Sequence, residues 1–189
     1  MLYSELSQYT HEQLSEFTHE QLSLLSQTGL ITNRTLDDVR RWMELRDKGW
    51  DNMTEDERLE WMGERLAVPS AARGMYTHND MNRVETAIEA ILNRFKETGY
   101  NVPELSIEKE RNHSSKLLES DVKEFFRKIA VVRGLLPVYP STPIAPYPGE
   151  RMDYKLANDI EQILFDVDEI FTKFTQSWHF VGELFIGEV

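Results

Sequence analysis

The stretch Leu156-Ala-Asn-Asp-Ile-Glu-Gln-Ile-Leu-Phe-Asp-Val-Asp-Glu-Ile-Phe-Thr-Lys-Phe174 decides the fold class. Its apolar residues recur every three or four positions, which is the spacing of one face of an α-helix. The same pattern runs from Met81 to Phe95 and from Val122 to Leu136. Three long amphipathic helices supply enough apolar surface for a small helical bundle. The sequence therefore predicts a mainly α fold.

Start and stop signals place the ends of these helices. The first long helix is predicted to begin near Thr77 and to end at Thr98-Gly99, where a polar cap precedes glycine. The second is predicted to end around Gly134 and Pro137, because proline cannot continue a helix. Residues 66–76, which contain Pro, Ser and Gly, are predicted to form a loop.

Two shorter helices precede the long ones. Thr35, with acids in the turn after it, is a predicted N-cap, and Gly49 is the expected stop. Thr54 and Glu57 have the spacing of a capping box, which predicts a second short helix. Trp50 lies in the connection, so we predict a helical hairpin filled by aromatic residues. The predicted buried side of the first helix consists of Leu36, Val39, Trp42, Met43 and Leu45.

Two irregular links separate the long helices. Residues 100–115 are charged and are predicted to form either an extended edge segment or a mobile loop. Residues 137–148 carry five prolines, which predicts an extended, polyproline-like crossover. We interpret this crossover as a stiff connector packed on the bundle, with a partner-docking motif as the alternative.

The C-terminal residues have a different composition from the helical body. Apolar residues alternate with small or polar ones after Trp178, which predicts a β-strand or a tight hairpin over residues 177–189. An apolar strand at a chain end needs a pairing partner. Residues 100–110 of the same chain and a sheet edge on another subunit are equally suitable. The predicted organisation is an N-terminal arm (1–31), a helical body (32–176) and this strand.

The N-terminal arm repeats every eight residues. Tyr9-Thr-His-Glu-Gln-Leu-Ser-Glu16 is followed directly by Phe17-Thr-His-Glu-Gln-Leu-Ser-Leu24. A period of eight is that of neither left-handed nor right-handed coiled coils. Each Thr stands three residues before a Gln, so each unit is predicted to be one short, capped helical turn.

Such an arm buries little apolar surface by itself, so we expect it to dock on its own domain or on a partner. The candidate docking residues are the apolar positions of the arm and of the predicted C-terminal strand. They are Leu6, Tyr9, Leu14, Phe17 and Leu22 in the arm and Phe180, Leu184 and Ile186 in the strand.

Charge and composition exclude several classes of function. The 189 residues include 21 Lys and Arg against 33 Asp and Glu, a net charge of −12. Nucleic acids and anionic membranes are bound largely by basic surfaces, so we expect neither as a partner. Cysteine is absent, which excludes disulfides and thiolate chemistry. The N-terminus lacks the features of a signal peptide and no stretch is apolar enough to span a bilayer, so neither export nor a membrane span is predicted.

No pattern in the sequence predicts an active site, a metal or a cofactor. Glu16 with His19 and Glu110 with His113 have the Glu-x-x-His spacing of di-iron bundles, but they lie in the arm and in a polar link. Nucleophile elbows, phosphate loops and zinc spacings are missing. Four carboxylates on predicted helices, Glu85, Glu89, Asp159 and Glu161, are interpreted as surface acids.

Two further groups of residues receive similar interpretations. The acidic run Asp166-Val-Asp-Glu169 lacks the glycine and the terminal glutamate of a calcium loop, so it is interpreted as a solvated helix face. Trp42, Trp50 and Trp61 are interpreted as core aromatics, with a carbohydrate-stacking site as the alternative.

Several stretches resemble a family of small proteins encoded among the tail genes of phages and prophages of Gram-positive, clostridia-like bacteria. The resemblance covers about residues 32 to 189 and includes the Pro-rich crossover. The stretches that carry it are Lys48-Gly-Trp-Asp-Asn-Met-Thr-Glu-Asp-Glu-Arg-Leu-Glu-Trp-Met-Gly63, Tyr76-Thr-His-Asn-Asp-Met-Asn-Arg-Val-Glu-Thr-Ala87, 121–133, Leu156-Ala-Asn-Asp-Ile-Glu-Gln-Ile-Leu164 and Gly182-Glu-Leu-Phe-Ile-Gly-Glu188. The repeat arm departs from the usual short N-terminus of this family.

The resemblance implies a non-enzymatic structural component of a virion. It places the protein at the baseplate, at the tail tip or at the base of a receptor-binding fibre, in several copies, with other phage structural proteins as partners. Assembly in the host cytoplasm and a final location in the virion follow from it. The alternatives are a receptor- or glycan-binding module and a decoration protein of the capsid or neck.

Overall fold

The protein is mainly helical, as the apolar periodicity predicts. The computed structural model describes residues 29–62, 71–112 and 114–185. The helices within these ranges are α1 (Leu36–Lys48), α2 (Glu55–Met62), α3 (Ala71–Gly74), α4 (His78–Glu97), α5 (Glu119–Arg133) and α6 (Tyr154–Phe185), with a 3-10 turn at Trp50–Asn52. The described ranges contain no β-strand.

The two predicted N-caps, Thr35 and Thr54, begin α1 and α2. At α1, the Asp38 backbone N–H donates to Thr35 Oγ1 and the Thr35 N–H donates to Asp38 Oδ2. At α2, Thr54 and Glu57 exchange the same pair of hydrogen bonds. Gly49 follows α1 with φ of 75°, a conformation that glycine adopts without strain.

Helices α4, α5 and α6 form a three-helix bundle, which confirms the three predicted long helices. The Phe95 ring of α4 stacks on the Phe171 ring of α6, with centroids 3.9 Å apart. Phe125, Phe126 and Ile129 of α5 complete the centre. The other buried members of this core are Leu30, Met81, Val84, Ala87, Ile88, Ile91, Leu92, Val102, Val132, Leu156, Ile160, Ile163, Leu164 and Val167.

Helices α1, α2 and α3 form a second, smaller unit, called the α1–α3 unit below. Its buried apolar residues within the described ranges are Leu45, Met53 and Ala71. The rings of Trp42 and Trp61 stack at 6.2 Å between centroids against this core. The predicted hairpin is therefore present, and Trp42 and Trp61, but not Trp50, pack on its core.

The inward face of α1 agrees with the prediction at Leu45 and Trp42 but differs from it at Leu36 and Met43. Asp38 and Leu45 are buried, whereas Leu36 and Met43 are exposed. Helix α3 packs so closely on α1 that a Cβ atom on Gly74 would lie 2.2 Å from the Asp38 carbonyl oxygen. Because of this packing, Asp38 lies on the inward side of α1. The loop predicted over residues 66–76 is wrong at Ala71–Gly74, which form helix α3.

The two links are extended and lie against the bundle. Val102 of the first link is buried, and Leu105 and Ile107 pack on the core. Residues 100–112 therefore match the extended alternative. The Pro-rich crossover returns along α6, where Tyr139 accepts a hydrogen bond from Lys173 and Thr142 donates one to Asp166. These contacts agree with the interpretation of the crossover as a stiff connector packed on the bundle.

The predicted C-terminal strand is wrong through Phe185. Helix α6 has 32 residues and continues to that position, and residues 186–189 lie outside the described ranges. Phe171, Phe174, Trp178, Val181 and Phe185 are spaced by three and four residues, so the helical period continues through the alternating pattern. Each residue added to an existing helix gains one backbone hydrogen bond, whereas a new strand needs a partner. Residues 1–28, which hold the repeats of the N-terminal arm, also lie outside the described residues.

Candidate functional site

A buried ionic cluster joins the start of the body to two helices of the bundle. Nη2 of Arg34 lies 3.0 Å from Asp80 Oδ1 on α4 and 2.6 Å from Glu161 Oε1 on α6. Arg83 contacts the same two carboxylates, at 2.5 and 2.9 Å. The backbone N–H of Ile31 donates to the second Glu161 oxygen. We call Arg34, Asp80, Arg83 and Glu161 the Arg34 cluster.

Electrostatics inside the Arg34 cluster favour the charged forms. Burial alone would raise the pKa of Asp80, but Arg83, the Thr77 backbone N–H and Arg34 lower it below its ordinary value. Burial acts against the charge of Arg83 too, yet Glu161 and Asp80 raise its pKa. The charges therefore compensate one another, and the cluster carries no surplus charge that would attract a ligand.

Tyr76 lies beside the Arg34 cluster, with the Arg34 guanidinium 5.5 Å from its ring centroid. Its hydroxyl oxygen is buried and has no hydrogen-bond partner among the described residues. Burial, followed by the negative charges of Glu161 and Asp80, raises the pKa of Tyr76 well above its usual range. A phenol with such a pKa stays protonated at neutral pH and supplies no base.

A second buried cluster joins α4, α5 and the first link. Glu85 is fully buried and accepts hydrogen bonds from Lys128 Nζ at 2.8 and 3.0 Å. Arg111, also buried, contacts Glu85 at 3.4 Å and Glu108 at 2.8 Å. We call Glu85, Arg111 and Lys128 the Glu85 cluster. Two cations from two different elements hold one carboxylate, which fixes the link against the bundle.

The interpretation of the helical carboxylates as surface acids is therefore wrong at two positions. Glu85 and Glu161 are fully buried, whereas Glu89 and Asp159 are partly exposed. Each buried carboxylate is paired with Lys or Arg residues from elements distant in the sequence, which offset the cost of burying a charge. A helix-face pattern in the sequence does not reveal such partners.

The interpretation of residues 166–169 as a solvated face is wrong at Asp166 and Asp168, whereas Glu169 is partly exposed. Asp166 is buried and accepts hydrogen bonds from Thr142 Oγ1 at 2.5 Å and from Gln162 Nε2 at 2.6 Å. Asp168 is buried and pairs with Arg94 of α4. These side chains hold α6 to the crossover and to α4, so their role in the structure is to position helices.

Neither cluster has the arrangement of a catalytic site. General acid–base catalysis needs a titrating group within reach of a substrate, and these carboxylates are surrounded by cations and buried. Within the described ranges, no three His, Asp or Glu side chains come together in a geometry that would hold a metal ion. His113 of the Glu-x-x-His pair with Glu110, and the whole pair of Glu16 and His19, lie outside those ranges.

The tryptophans divide into two groups. Trp42 and Trp61 pack on the small core, in agreement with their interpretation as core aromatics. Trp50 is 47% exposed, with the guanidinium of Arg58 5.3 Å from its ring centroid. Trp50 is thus a surface aromatic, which the sequence interpretation as core missed.

Helix α6 continues for 14 residues after Phe171, which stacks on Phe95 in the last turn of α4. Its 32 residues span about 48 Å at 1.5 Å per residue, whereas the 20 residues of α4 span about 30 Å. Among the residues of α6 whose burial is described, Phe171 is the last buried one, and Phe174 is more exposed. The remaining turns carry Trp178, Val181 and Phe185 at the spacing of one helix face.

The predicted docking residues are only partly placed by the structure. Phe180 and Leu184 lie on the backbone of α6 instead of in a strand. Their spacing of four puts both positions on one side of that helix. The remaining candidates, Leu6, Tyr9, Leu14, Phe17, Leu22 and Ile186, lie outside the described residues.

The Pro-rich crossover also presents exposed apolar side chains, as its alternative interpretation as a partner-docking motif requires. Ile144 is 85% exposed and Tyr147 is 63% exposed, the two highest values among the large apolar residues whose burial is described. In the sequence, Ile144 and Tyr147 are three positions apart, and each follows a proline, Pro143 or Pro146. This spacing matches the three residues per turn of a polyproline II helix.

The chain matches no family model, no curated protein and no solved structure. No helix in the described part of the chain combines the length and the apolar character needed to cross a lipid bilayer.

Proposed function

We propose that the protein is a non-enzymatic structural component of a phage virion or phage-tail-like particle. It acts through protein–protein contacts at the baseplate, the tail tip or a fibre attachment, in several copies. Other structural proteins of the particle are its partners, and assembly takes place in the host cytoplasm.

The observation that carries the proposal is the extension of α6 beyond the bundle. An isolated helical segment of this length is marginal in water unless its apolar face is packed against something. The apolar positions continue at helical spacing from Phe171 to Phe185, past the ends of the shorter helices α4 and α5. A helix that leaves its own bundle with such a face is suited to pack into a partner.

The chemistry of the body supports a scaffold over an enzyme. The described buried carboxylates that pair with cations, Glu60, Asp80, Glu85, Glu161 and Asp168, join helices and links. The resemblance of residues 32–189 to phage tail-gene proteins supports the location in the particle. Apolar positions at both ends of the chain, in the arm and in α6, support attachment at two places.

The first test is quantitative mass spectrometry of density-purified particles from an induced lysate. We expect the protein at a fixed ratio to the major tail proteins. A low ratio would indicate a small ring at the tip, and a high ratio would indicate a decoration along the tail or capsid. Absence from purified particles would contradict the proposal.

The second test separates α6 from the rest of the chain. Val181→Asp introduces a negative charge at one of the apolar positions in the last turns of α6. Ser177→Asp is its control, since it introduces the same charge one turn earlier, at an exposed position. We expect incorporation into particles to fall at least about tenfold for the first variant and to stay unchanged for the second, as for a central interface residue and a peripheral one. Equal incorporation of both would show that α6 is not the attachment.

The arm is tested by deleting residues 1–28. We expect the shortened protein to keep the helical content and the unfolding midpoint of the body and to be incorporated at lower copy number. Full incorporation would remove the arm from the proposal while leaving α6 in place.

The exposure of Trp50 favours one second candidate, a receptor- or glycan-binding module. Aromatic rings stack on sugars, and Trp50 is the most exposed of the tryptophans whose burial is described. Titration with cell-wall polysaccharide would change the tryptophan fluorescence of the wild type but not that of Trp50→Phe. An unchanged spectrum of the wild type would exclude this candidate.

A further inference from the structure

Phe165 of α6 is buried although it faces away from the core of the bundle. Its side chain is 5% exposed, yet Phe165 belongs to neither of the two apolar cores formed by the described residues. With 3.6 residues per turn, Phe165 lies about 160° around α6 from Ile163 and from Val167, which are both in the bundle core. The face of a helix opposite to its core is ordinarily solvated, so the burial of Phe165 needs a cover from outside the two cores.

Two described contacts of α6 lie on either side of Phe165. Towards α4, Arg94 pairs with Asp168, which lies about 60° around the helix from Phe165. Towards the crossover, Thr142 donates a hydrogen bond to Asp166, about 100° away in the other direction. A strip of α6 lies between these contacts and faces neither neighbour directly. We call it the outer strip and define it as Gln162, Phe165 and Glu169.

The N-terminal arm leaves the body beside the outer strip. The Ile31 N–H donates to a Glu161 oxygen, and the backbone of Arg34 exchanges two hydrogen bonds of 2.9 Å with the Asn158 side chain. Glu161 precedes Phe165 by four residues, so the two lie on the same side of α6. The chain that precedes Ile31 therefore starts about 6 Å along the helix from Phe165.

The part of the arm nearest the body has a composition that suits this strip. We call residues 21–28, Gln-Leu-Ser-Leu-Leu-Ser-Gln-Thr, the base of the arm. The base contains three leucines and no charged residue. The second repeat unit ends in Leu24, where the first ends in Glu16, so the repeat departs from its pattern towards an apolar residue just before the body. In a chain of net charge −12, an uncharged segment also avoids repulsion from Glu169 on the strip.

The base is long enough to cover Phe165. Leu25 precedes Ile31 by six residues, which reach at most about 21 Å when fully extended. Phe165 and Glu169 lie about 6 and 12 Å along α6 from Glu161, the residue that holds Ile31. The leucines of the base can therefore reach the outer strip without any change in the body.

We propose that the base of the arm packs on the outer strip of α6 in the same molecule, with its leucines covering Phe165. The contact removes apolar groups on both sides from water. Ordering the base costs backbone entropy, which offsets most of this gain, so the two cores set the unfolding midpoint of the body. Residues 1–20 of the arm then start from the outer face of α6, where they are available to a partner.

This inference goes beyond the proposed function and does not rest on it, because it concerns the isolated chain. Disulfide trapping in the purified full-length protein tests it, since the chain contains no cysteine of its own. Ser23→Cys places one thiol between the leucines of the base, and Glu169→Cys places the other on the outer strip. We expect oxidised glutathione to join the two within one chain. Non-reducing electrophoresis measures the rate, and peptide mass spectrometry assigns the bond.

Two further substitutions in this cysteine pair remove the apolar contact from either side. Leu24→Glu restores the residue type that ends the first repeat unit, and Phe165→Ser removes the ring from the strip. We expect each to slow disulfide formation at least about tenfold, because a tether alone gives a lower effective concentration than a docked contact. Leu14→Glu adds the same charge to the arm outside the base, so this matched control should leave the rate unchanged.

Circular dichroism and the unfolding midpoint check that each variant folds. If Phe165→Ser fails to fold, Leu24→Glu carries the test, because it lies in the arm and leaves the body unaltered. A mixture of the single variants Ser23→Cys and Glu169→Cys distinguishes the same molecule from a second copy. At about 10 μM protein, we expect disulfide-linked dimers to form at least about tenfold more slowly than the bond within one chain, since the tethered thiol is at a millimolar effective concentration.

Three results would overturn the proposal. The first is a disulfide rate that neither Leu24→Glu nor Phe165→Ser lowers, as expected if other side chains cover Phe165 and the arm makes no contact there. The second is an equal slowing by Leu14→Glu, which would show that charge anywhere in the arm, and not the base, controls the rate. The third is dimer formation in the mixture as fast as the bond within one chain, which would place the arm of one copy on α6 of another.

Discussion

The three-helix bundle and the α1–α3 unit are stabilised in different ways. Nineteen buried apolar residues form the core of the bundle, whereas three form the core of the unit, counted over the described residues. The bundle also contains fully buried carboxylates, Glu85 and Glu161. The unit relies instead on caps, on the Arg41–Glu60 ion pair and on the close approach of α3 to α1.

The difference in core size leads us to expect different properties in the two parts. A large core with matched buried charges gives one rigid arrangement of helices, which suits a scaffold. A small core leaves Met43, Trp50 and Met62 on the surface, where they are available for contacts. The α1–α3 unit is therefore the part that we expect to yield first to heat or denaturant, since little apolar area holds it together.

The largest expected effect tests the buried charges of the bundle. Glu85→Gln leaves Lys128 and Arg111 without their shared carboxylate, so we expect the free energy of unfolding to fall by about 3–5 kcal/mol. Urea denaturation followed by circular dichroism measures it. The matched control is Glu89→Gln, one turn further along α4, whose partner Lys109 is exposed. We expect a change below about 0.5 kcal/mol there.

The second prediction concerns the close contact of the α1–α3 unit. Gly74→Ala would place a Cβ atom 2.2 Å from the Asp38 carbonyl oxygen and 2.8 Å from Trp42 Cβ, so α3 must move away from α1. We expect a loss of about 1–3 kcal/mol, the range for overpacking. Hydrogen exchange should accelerate in α1 and remain unchanged in α4.

Gly134→Ala is the control for that substitution. A Cβ atom there meets the carbonyl oxygens of Ala130 and Val131 at 3.4 Å, and φ is −83°, which alanine adopts without strain. We expect a change within about 1 kcal/mol. Equal losses at both glycines would refute the idea that α1–α3 packing is the vulnerable contact.

The third prediction is a pH dependence that arises in the Arg34 cluster. The folded-state pKa of Asp80 is lowered, so the unfolded chain binds more protons at acid pH. The stabilisation is complete above the unfolded pKa of about 3.9 and is lost as the pH falls through the folded pKa. Asp80→Asn should cost about 1–2 kcal/mol at pH 7 and less at pH 3, because the charged hydrogen bonds are then already weakened.

Asp37→Asn provides the comparison for Asp80. Asp37 and its partner Arg40 are exposed on α1, so we expect little change in stability at either pH. Stability measured between pH 2 and pH 7 for both variants decides the matter. A pH profile of Asp80→Asn identical to that of the wild type would contradict the prediction.

The smallest expected effect has the opposite sign. Burial and the negative charges of Asp153 and Glu150 raise the pKa of Asp159 in the folded state. The protonated side chain therefore favours the folded state below about pH 4, and this contribution to stability is lost as the pH rises through the folded-state pKa. At pH 7 the ionised carboxylate is unfavourable. We expect Asp159→Asn to raise the unfolding free energy by up to about 0.5 kcal/mol at pH 7 and by nothing at pH 3.

Local signals in the sequence predicted much of the fold correctly. The caps at Thr35 and Thr54 and the helix that begins after Thr77 depend on residues three or four positions apart. Such contacts form whenever the segment is helical, whatever lies nearby. The C-terminal strand was the main error, because the residues after Trp178 carry alternation and helical spacing together, and α6 continued through them.

The roles of the charged residues were predicted poorly. Glu85 and Glu161 have partly exposed neighbours on their own helices, such as Glu89 and Asp159, and the sequence pattern does not separate them. What separates Glu85 and Glu161 is a buried cation from a distant part of the chain, Lys128 for Glu85 and Arg34 for Glu161. Glu89 also has a distant partner, Lys109, but that pair is exposed. The exposure of Ile144 also depends on the tertiary structure, since proline content alone did not decide between a connector and a docking motif.

The sequence by itself determined where most helices begin and end and that the fold is mainly α, because periodicity and capping act over one or two turns. Only the tertiary structure decided which carboxylates are buried, which apolar side chains remain exposed and how far α6 extends past its bundle. Those outcomes depend on which distant elements meet, and a charge is buried at tolerable cost only where folding brings a counter-charge to it.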